Sequence, residues 1–515
     1  MKSFICLLVL SLALFIVTAH AQDKKQDTPN TNTALTKPQQ VMTTGAVTVE
    51  GNRIDYNAYT GTLILKNDED KPACSMFYVA YVKKNESDES KRPVTFIYNG
   101  GPGSSTMWLH MSAWGPHIAN LKDTARVMAP YKTVNNDYSL LDASDLVFVD
   151  APGTGLSQII TKDKGGAGTP KEFFGIDQDA NAFASFITKF LSTYNRWDSP
   201  KYLFGESYGT FRSAALSNIL ETQDGVDLNG VILLSQLLNY NNMSDVAEAD
   251  PGMGLPYELA LPSAAATAWY HHKLPNRPAE LEPFLKKVEN FSLNEYAVAL
   301  NKGSMIDSVE YNKVVDKLHE YTGLSKSYIR KANLRISGPE MEKNILADEG
   351  KVTGRLDTRF SGFTQDPLSK TPKYDPHGAT FEGTVIGTFN NYLRTKLNYG
   401  QNETYHPFGE NVIGQWDFHH HGPGGGIGFF PNVMPDLANA MIFNPKMKVM
   451  LNMGYYDLGT PFFEGVYEMH HLPIPDELQK NISYAYYKSG HMVYLHPESL
   501  KKLHDNVAGF IQGTH

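Results

Sequence analysis

Short runs in which nearly every residue is apolar recur through the first half of the chain: Val94-Thr95-Phe96-Ile97-Tyr98, Leu146-Val147-Phe148-Val149-Asp150, Tyr202-Leu203-Phe204 and Gly230-Val231-Ile232-Leu233-Leu234. Each has the length of a strand, and each lacks the polar alternation of a half-exposed one. They read as parallel strands buried on both faces. Between them lie helical stretches, Ala180 to Tyr194 and Thr210 to Glu221. In the first of these, Phe183, Phe186, Ile187, Phe190 and Leu191 share one face. Strand, helix and strand in succession predict an α/β core. Upstream, Val47-Thr48-Val49, Gly61 to Leu65 and Ser75 to Tyr81 predict further strands, with Asn67-Asp68-Glu69-Asp70 turning between the last two.

After about residue 238 the pattern changes. Residues 239–405 are polar and helix-prone, with amphipathic stretches at Pro262–Tyr270, Pro278–Asn290 and Glu310–Tyr321. Strand signals return at Lys446–Asn452 and Ile482–Tyr487, and Pro497–Gln512 reads as a closing helix. The expected organisation is one α/β core with a mostly parallel sheet, built from residues 45–238 and 406–515. A helical cap over 239–405 interrupts it. Residues 22–44, rich in Gln, Thr, Lys and Pro, read as a disordered leader. Residues 1–21 combine Lys2, the apolar run Ile5–Val17 and Ala19-His20-Ala21, which together read as a signal peptide cleaved after Ala21. Export to a periplasm or to the exterior follows from that reading. No later stretch predicts a membrane span.

Composition narrows the partners. Loss of the signal removes Lys2 and takes the formal charge from −9 to −10. A mildly acidic chain without a Lys/Arg block is a poor nucleic-acid binder. Of the two cysteines, Cys6 leaves with the signal. Cys74 is then a buried structural thiol, and no internal disulfide is available. Oligomeric state is not legible in the sequence.

The chemistry sits at the ends of the predicted strands. Gly205-Glu206-Ser207-Tyr208-Gly209 lies between a strand and a helix. That is the context of a nucleophile elbow, with Ser207 as nucleophile and the Tyr208 N–H as an oxyanion donor. Asn99-Gly100-Gly101-Pro102-Gly103-Ser104-Ser105 follows another strand and offers the Gly101 N–H as the second donor. Its dinucleotide-binding alternative is disfavoured by Pro102 between the glycines and by Thr106 at the third glycine position. Asp457, in Gly454 to Pro461, and His491, in Ser489-Gly490-His491-Met492-Val493, follow the last two strands in the order such a sheet requires. The imidazole takes and returns the serine proton, and the carboxylate fixes its tautomer. His419-His420-His421 lacks the spacing of a metal site and reads as a mobile loop at the pocket rim.

These segments, with Phe148 to Gly155 and Gly115-Pro116, resemble the signatures of the serine carboxypeptidase family. Arg92 to Phe96 and Gly354-Arg355-Leu356-Asp357-Thr358-Arg359 are similar to phrases of its bacterial branch. The resemblance implies an α/β-hydrolase fold with a helical cap, no metal or other cofactor, and removal of C-terminal residues from peptides at acid pH. It implies Ser207, Asp457 and His491 as the triad. It also implies that Asn99, Gly100 and Glu206 hold the substrate's terminal carboxylate. A carboxyl beside a carboxylate shares a proton, which suits an acid optimum. The chain departs from the family at Ile97 and Ala113, where well-studied members carry a Trp and a second Glu. The alternative activity on the same triad is that of an esterase or acyltransferase.

Overall fold

A computed structural model describes residues 35–86, 88–425, 427–428 and 431–514. The expected signal peptide over 1–21 lies outside them. The described residues begin with three long antiparallel strands, β1 (Gln40–Val49), β2 (Asn52–Lys66) and β3 (Pro72–Lys83). Among the shorter strands that follow are β4 (Val94–Tyr98), β5 (Asp145–Val149), β6 (Lys201–Glu206), β7 (Gly230–Leu234), β8 (Lys448–Gly454) and β9 (Ile482–Tyr487). Their order in one sheet is β1-β2-β3-β5-β4-β6-β7-β8-β9, with the short strand Gln158–Ile159 on β3. From β5 to β9 every pairing is parallel.

The solid apolar runs are explained by two cores, one on each face of the sheet. Val94, Phe96 and Tyr98 of β4 face one, and Ile97 between them faces the other. The first core is covered by α1 (Ile176–Thr193) and α2 (Tyr208–Thr222). Residues 235–447, between the neighbouring strands β7 and β8, carry the helices α3 (Leu255–Tyr270), α4 (Leu281–Phe291), α5 (Ser308–Thr322), α6 (Pro376–Thr395) and α7 (Met434–Phe443). After β8 come α8 (Phe462–His470) and, at the end, α9 (Pro497–Gly513). Among the described residues no helix is long and apolar enough to cross a membrane.

Two expectations need correction. The leader placed at 22–44 overlaps β1, which pairs residue by residue with β2 from Gln40↔Gly61 to Val49↔Asn52. Residues 40–44, Gln-Val-Met-Thr-Thr, show no buried apolar run because β1 is the edge of the sheet, with half-exposed and exposed positions alternating. The first cap helix also begins earlier than Pro262. That proline sits inside α3, whose start at Leu255-Pro256 places another proline in the first turn.

Candidate active site

β6 ends at Glu206 and α2 begins at Tyr208, so Ser207 makes the whole turn between them. Its φ is 61° and its ψ −130°. For a residue with a side chain, that conformation costs on the order of 1–3 kcal/mol. It is held on both sides. The Ser207 N–H donates to the Leu234 carbonyl at 3.0 Å, and the Ser207 carbonyl accepts from the Thr210 N–H at 2.8 Å. Tyr208 is the first residue of α2, so its N–H has no acceptor within the helix. The turn after β4 lies directly against it. A Cβ on Gly100 would stand 2.4 Å from the Tyr208 nitrogen, so only glycine allows this approach.

The polypeptide after β8 supplies Asp457 and that after β9 supplies His491. Asp457 Oδ2 accepts from His491 Nδ1 at 2.6 Å. Asp457 Oδ1 accepts the Gly459 and Thr460 N–H groups at 2.8 and 3.0 Å, which fixes the carboxylate plane. Thr460 Oγ1 bonds both Asp457 Oδ2 and the Ser235 carbonyl. The Ser235 hydroxyl in turn donates to the His491 carbonyl at 2.6 Å. Burial pulls the His491 imidazole toward neutrality. The charge and hydrogen bond of Asp457, with the charge of Glu206, outweigh it and hold His491 above its ordinary value. An imidazole oriented through Nδ1 in this way has its Nε2 available for proton transfer.

Asn99 and Glu206 meet side by side. Asn99 Nδ2 donates to Glu206 Oε1 at 3.0 Å, and Asn99 Oδ1 accepts from the Leu109 N–H. Glu206 is 3% exposed, and its second oxygen has no partner among the described residues. Burial pushes the carboxyl up to about 7, against the opposing influences of His491, Tyr494 and Asn99. Ile97 and Ala113 are both fully buried and apolar, so neither supplies it with a second carboxyl.

One cavity of about 510 Å³ brings Asn99, Gly100, Gly101, Glu206, Ser207 and His491 together. Asp457 stands behind its wall, 1% exposed, and reaches it only through His491. The Tyr208 ring also turns away, stacking on Phe211, so only its backbone belongs to the site. The rest of the wall includes Trp108, Phe381 and Phe408, with Arg355, Asp375 and Glu382 on the polar side. These walls leave no local mark in the sequence. α6 carries Phe381 and Glu382, and no periodicity says that its first turns face Ser207.

A buried ion pair ties the elbow to the turn after β4. Arg212 of α2 bonds Asp179 of α1 at 2.6 Å and donates to the Asn99 carbonyl at 2.8 Å, with both side chains essentially buried. Asp179→Ala leaves the guanidinium buried and unpaired. It is expected to lower unfolding stability by about 3–5 kcal/mol in chemical denaturation; a loss within error would show that the fold does not depend on this pair.

The three adjacent histidines lie away from the cavity. His420 is buried and bridges Asp177 and Asp436 through its two ring nitrogens, at 2.5 and 2.8 Å. Burial disfavours its charge, but the two carboxylates dominate and raise it to about 9. A ring that donates at both nitrogens has no lone pair to offer a metal. The segment read as a mobile rim loop is pinned here to the start of α1. Cys74 lies within β3, fully buried, where burial alone pushes its thiol well up.

Comparison with known proteins is consistent with this geometry. The serine carboxypeptidase family profile matches residues 49–335, a stretch that includes the turn after β4 and Ser207 and ends before Asp457 and His491. A carboxypeptidase Y homolog of Arthroderma benhamiae is 27% identical over 241 residues, covering 46% of this chain and 41% of that protein. Serine carboxypeptidase 1 of Hordeum vulgare is 30% identical over 146 residues, covering 28% and 27%. The matched part thus spans less than half the length of these relatives. The solved structure of a prohormone-processing carboxypeptidase from Saccharomyces cerevisiae superposes with a TM-score of 0.55 at 15% identity, covering 89% of this chain and 91% of that one. At that identity the likeness establishes a shared α/β-hydrolase fold.

Proposed function

Because the chain belongs to the serine carboxypeptidase family, we propose that it removes C-terminal residues from peptides through an acyl-enzyme on Ser207. The observation that carries this is the convergence of Ser207, His491 and the Asn99–Glu206 pair on one cavity. His491 takes the Ser207 proton as the hydroxyl attacks the last peptide carbonyl, then returns it to the departing amine. The Gly101 and Tyr208 N–H groups receive the oxyanion, helped by the N-terminus of α2. Water repeats the cycle on the ester. Glu206, while protonated, donates to the terminal carboxylate beside Asn99 and Gly100. Glu206 lines the cavity wall next to Asn99 and Gly100.

Two titrations then shape the pH profile. Above about 7 Glu206 ionises, two anions face each other, and turnover of free-acid peptides falls. At lower pH, His491 protonates and the general base is lost, so the acid side is limited by its raised affinity for protons. Esters need no carboxylate recognition and stay active on the alkaline side. Glu206→Gln is therefore expected to flatten the alkaline fall for peptides while ester turnover persists. Measuring kcat/KM against pH for both substrates checks this; loss of both activities together would refute it.

The sequence features of residues 1–21 and the lone mature cysteine support export, to a periplasm or the exterior. Arg92 to Phe96 and Gly354 to Arg359 support placement in the bacterial branch, although the relatives compared above are fungal and plant proteins. Activity on esters or as an acyltransferase is the second reading. It is favoured by Ile97 and Ala113, which leave Glu206 without a carboxyl partner.

A further inference from the structure

We infer that the segment Gly354–Arg359 is a positioning strap that sets the alignment of Asp457 and His491, with Asp357 and Arg359 as its key residues. This role rests on the assignment of Ser207, Asp457 and His491 as the triad.

The segment lies between β7 and β8, outside the strands of the main sheet, yet it bonds to both of the loops that carry the acid and the base. The Arg355 carbonyl accepts the Leu458 N–H at 3.1 Å, next to Asp457. The Leu356 carbonyl accepts the His491 N–H at 2.6 Å. Asp357 Oδ2 accepts the Gly490 N–H at 3.1 Å. Thr358 donates its N–H to the Tyr456 carbonyl at 2.9 Å. Arg359 Nη2 donates to Ser489 Oγ at 3.2 Å. Five consecutive residues thus reach, in turn, residues 458, 491, 490, 456 and 489.

The contacts are tight as well as numerous. A Cβ on Gly490 would stand 2.4 Å from both Asp357 Cβ and the Leu356 carbonyl oxygen, so a side chain there would push the strap off the His491 loop. Asp357 is fully buried and Arg359 nearly so. Arg359 grips Asp357 with Nε and Nη2, at 3.0 and 2.6 Å, and holds Asp123 at 3.1 Å with Nη1. Two carboxylates therefore satisfy the guanidinium, and the guanidinium orients the oxygen that accepts from Gly490. The other end is fixed too, because Arg355 Nε bonds Asp245 at 2.7 Å.

Asp457 needs nothing from this segment for its own hydrogen bonds, since Gly459 and Thr460 provide them. What the strap adds is the distance and angle between the two loops. A general base misplaced by an ångström loses on the order of 100-fold in rate. Asp357 and Arg359 do not line the cavity; they act through the Gly490 N–H and the Ser489 hydroxyl.

The test uses the full chain and compares wild type, Asp357→Ala, Asp357→Asn and Arg359→Lys. Ester turnover and the rate at which a fluorophosphonate labels Ser207 are read beside the unfolding midpoint. For folded Asp357→Ala, kcat and labelling are expected to fall about 100-fold, with KM changed by no more than about threefold. Asp357→Asn retains an oxygen for the Gly490 N–H and is expected to recover much of the loss. If the strap were merely structural, folded Asp357→Ala would turn over at the wild-type rate and differ only in its unfolding midpoint. That result would overturn the proposal. Should Asp357→Ala fail to fold, Arg359→Lys carries the test: about a tenfold fall in kcat at unchanged KM supports it, and wild-type turnover refutes it. Failure here stays separable from failure of the peptidase reading, because ester turnover that requires Ser207 establishes the triad without any peptide.

Discussion

Ser207→Ala is expected to lower hydrolysis of both peptides and esters by about 10⁴-fold or more, with no change in folding. The two halves of that expectation come from different parts of the structure. The loss follows because no other nucleophile lies in the cavity wall at a strand-to-helix turn; its remaining polar groups are Asn99, Ser104, Glu206 and residues of the cap and the His491 loop. Of the hydroxyls in the turn after β4, the one lining the cavity is that of Ser104, and its Oγ already accepts from Trp108 Nε1 at 2.9 Å. The unchanged fold follows because what holds residue 207 at φ 61° is backbone. The bonds to Leu234 and Thr210 do not involve the hydroxyl, and alanine meets the same backbone strain as serine. Intact-mass measurement after fluorophosphonate treatment checks the site: one adduct in wild type and none in Ser207→Ala. A variant that keeps more than about a hundredth of the activity would remove Ser207 from the chemistry.

The second large effect is on stability. The protein is expected to unfold more readily at pH 9 than at pH 5, the reverse of a protein held by ionised carboxylates. Behind Asp457 lie Glu342, Glu464 and Glu468, all buried. Glu464 has no partner for either oxygen, and Glu342 none for Oε1, among the described residues. Burial pushes Glu342 up to about 8. Glu464 is raised well above its ordinary value by burial and then by Glu468, and Glu468 is raised by burial. Each binds its proton more tightly folded than unfolded. Their stabilisation is therefore complete below the unfolded value near 4.5 and is lost as pH rises through 7 and 8. A carboxyl that binds its proton tenfold more tightly in the fold contributes about 1.4 kcal/mol, so a loss of a few kcal/mol across this window is the scale to expect. Denaturation midpoints at pH 5, 7 and 9 measure it. Glu464→Gln, which carries a donor at every pH, should flatten part of the slope. Stability that stays level or rises from pH 5 to 9 would show that these carboxyls are ionised in the fold.

The β4–β7 strands and the elbow are legible in the sequence because their signals are local. A solid apolar run of five residues and a serine between glycines need only their neighbours to be read. Asp457 and His491 are legible from their order after β8 and β9. Contacts made across long stretches of chain are not. His420 looks like part of a polar triplet until α1 brings Asp177 to it from 243 residues away. Asp357 looks like a charge in a polar stretch until Gly490 meets it across 133 residues. β1 is hidden for a different reason: an edge strand has one row of backbone groups facing solvent, and its polar residues read as leader. Even the strap's phrase, Gly354 to Arg359, stands out only by its resemblance, because nothing in the six residues says which loops they hold.

The most direct test of the central claim compares a blocked dipeptide bearing a free C-terminal carboxylate with its C-terminal amide, from pH 4 to 8, in wild type and Ser207→Ala. Recognition of the carboxylate by Asn99 and protonated Glu206 predicts release of the last residue from the free acid. That release should decline as the pH passes about 7 and be absent in the variant, with little turnover of the amide. Equal turnover of acid and amide, or hydrolysis of simple esters alone, would contradict carboxypeptidase action and leave a hydrolase of other acyl substrates.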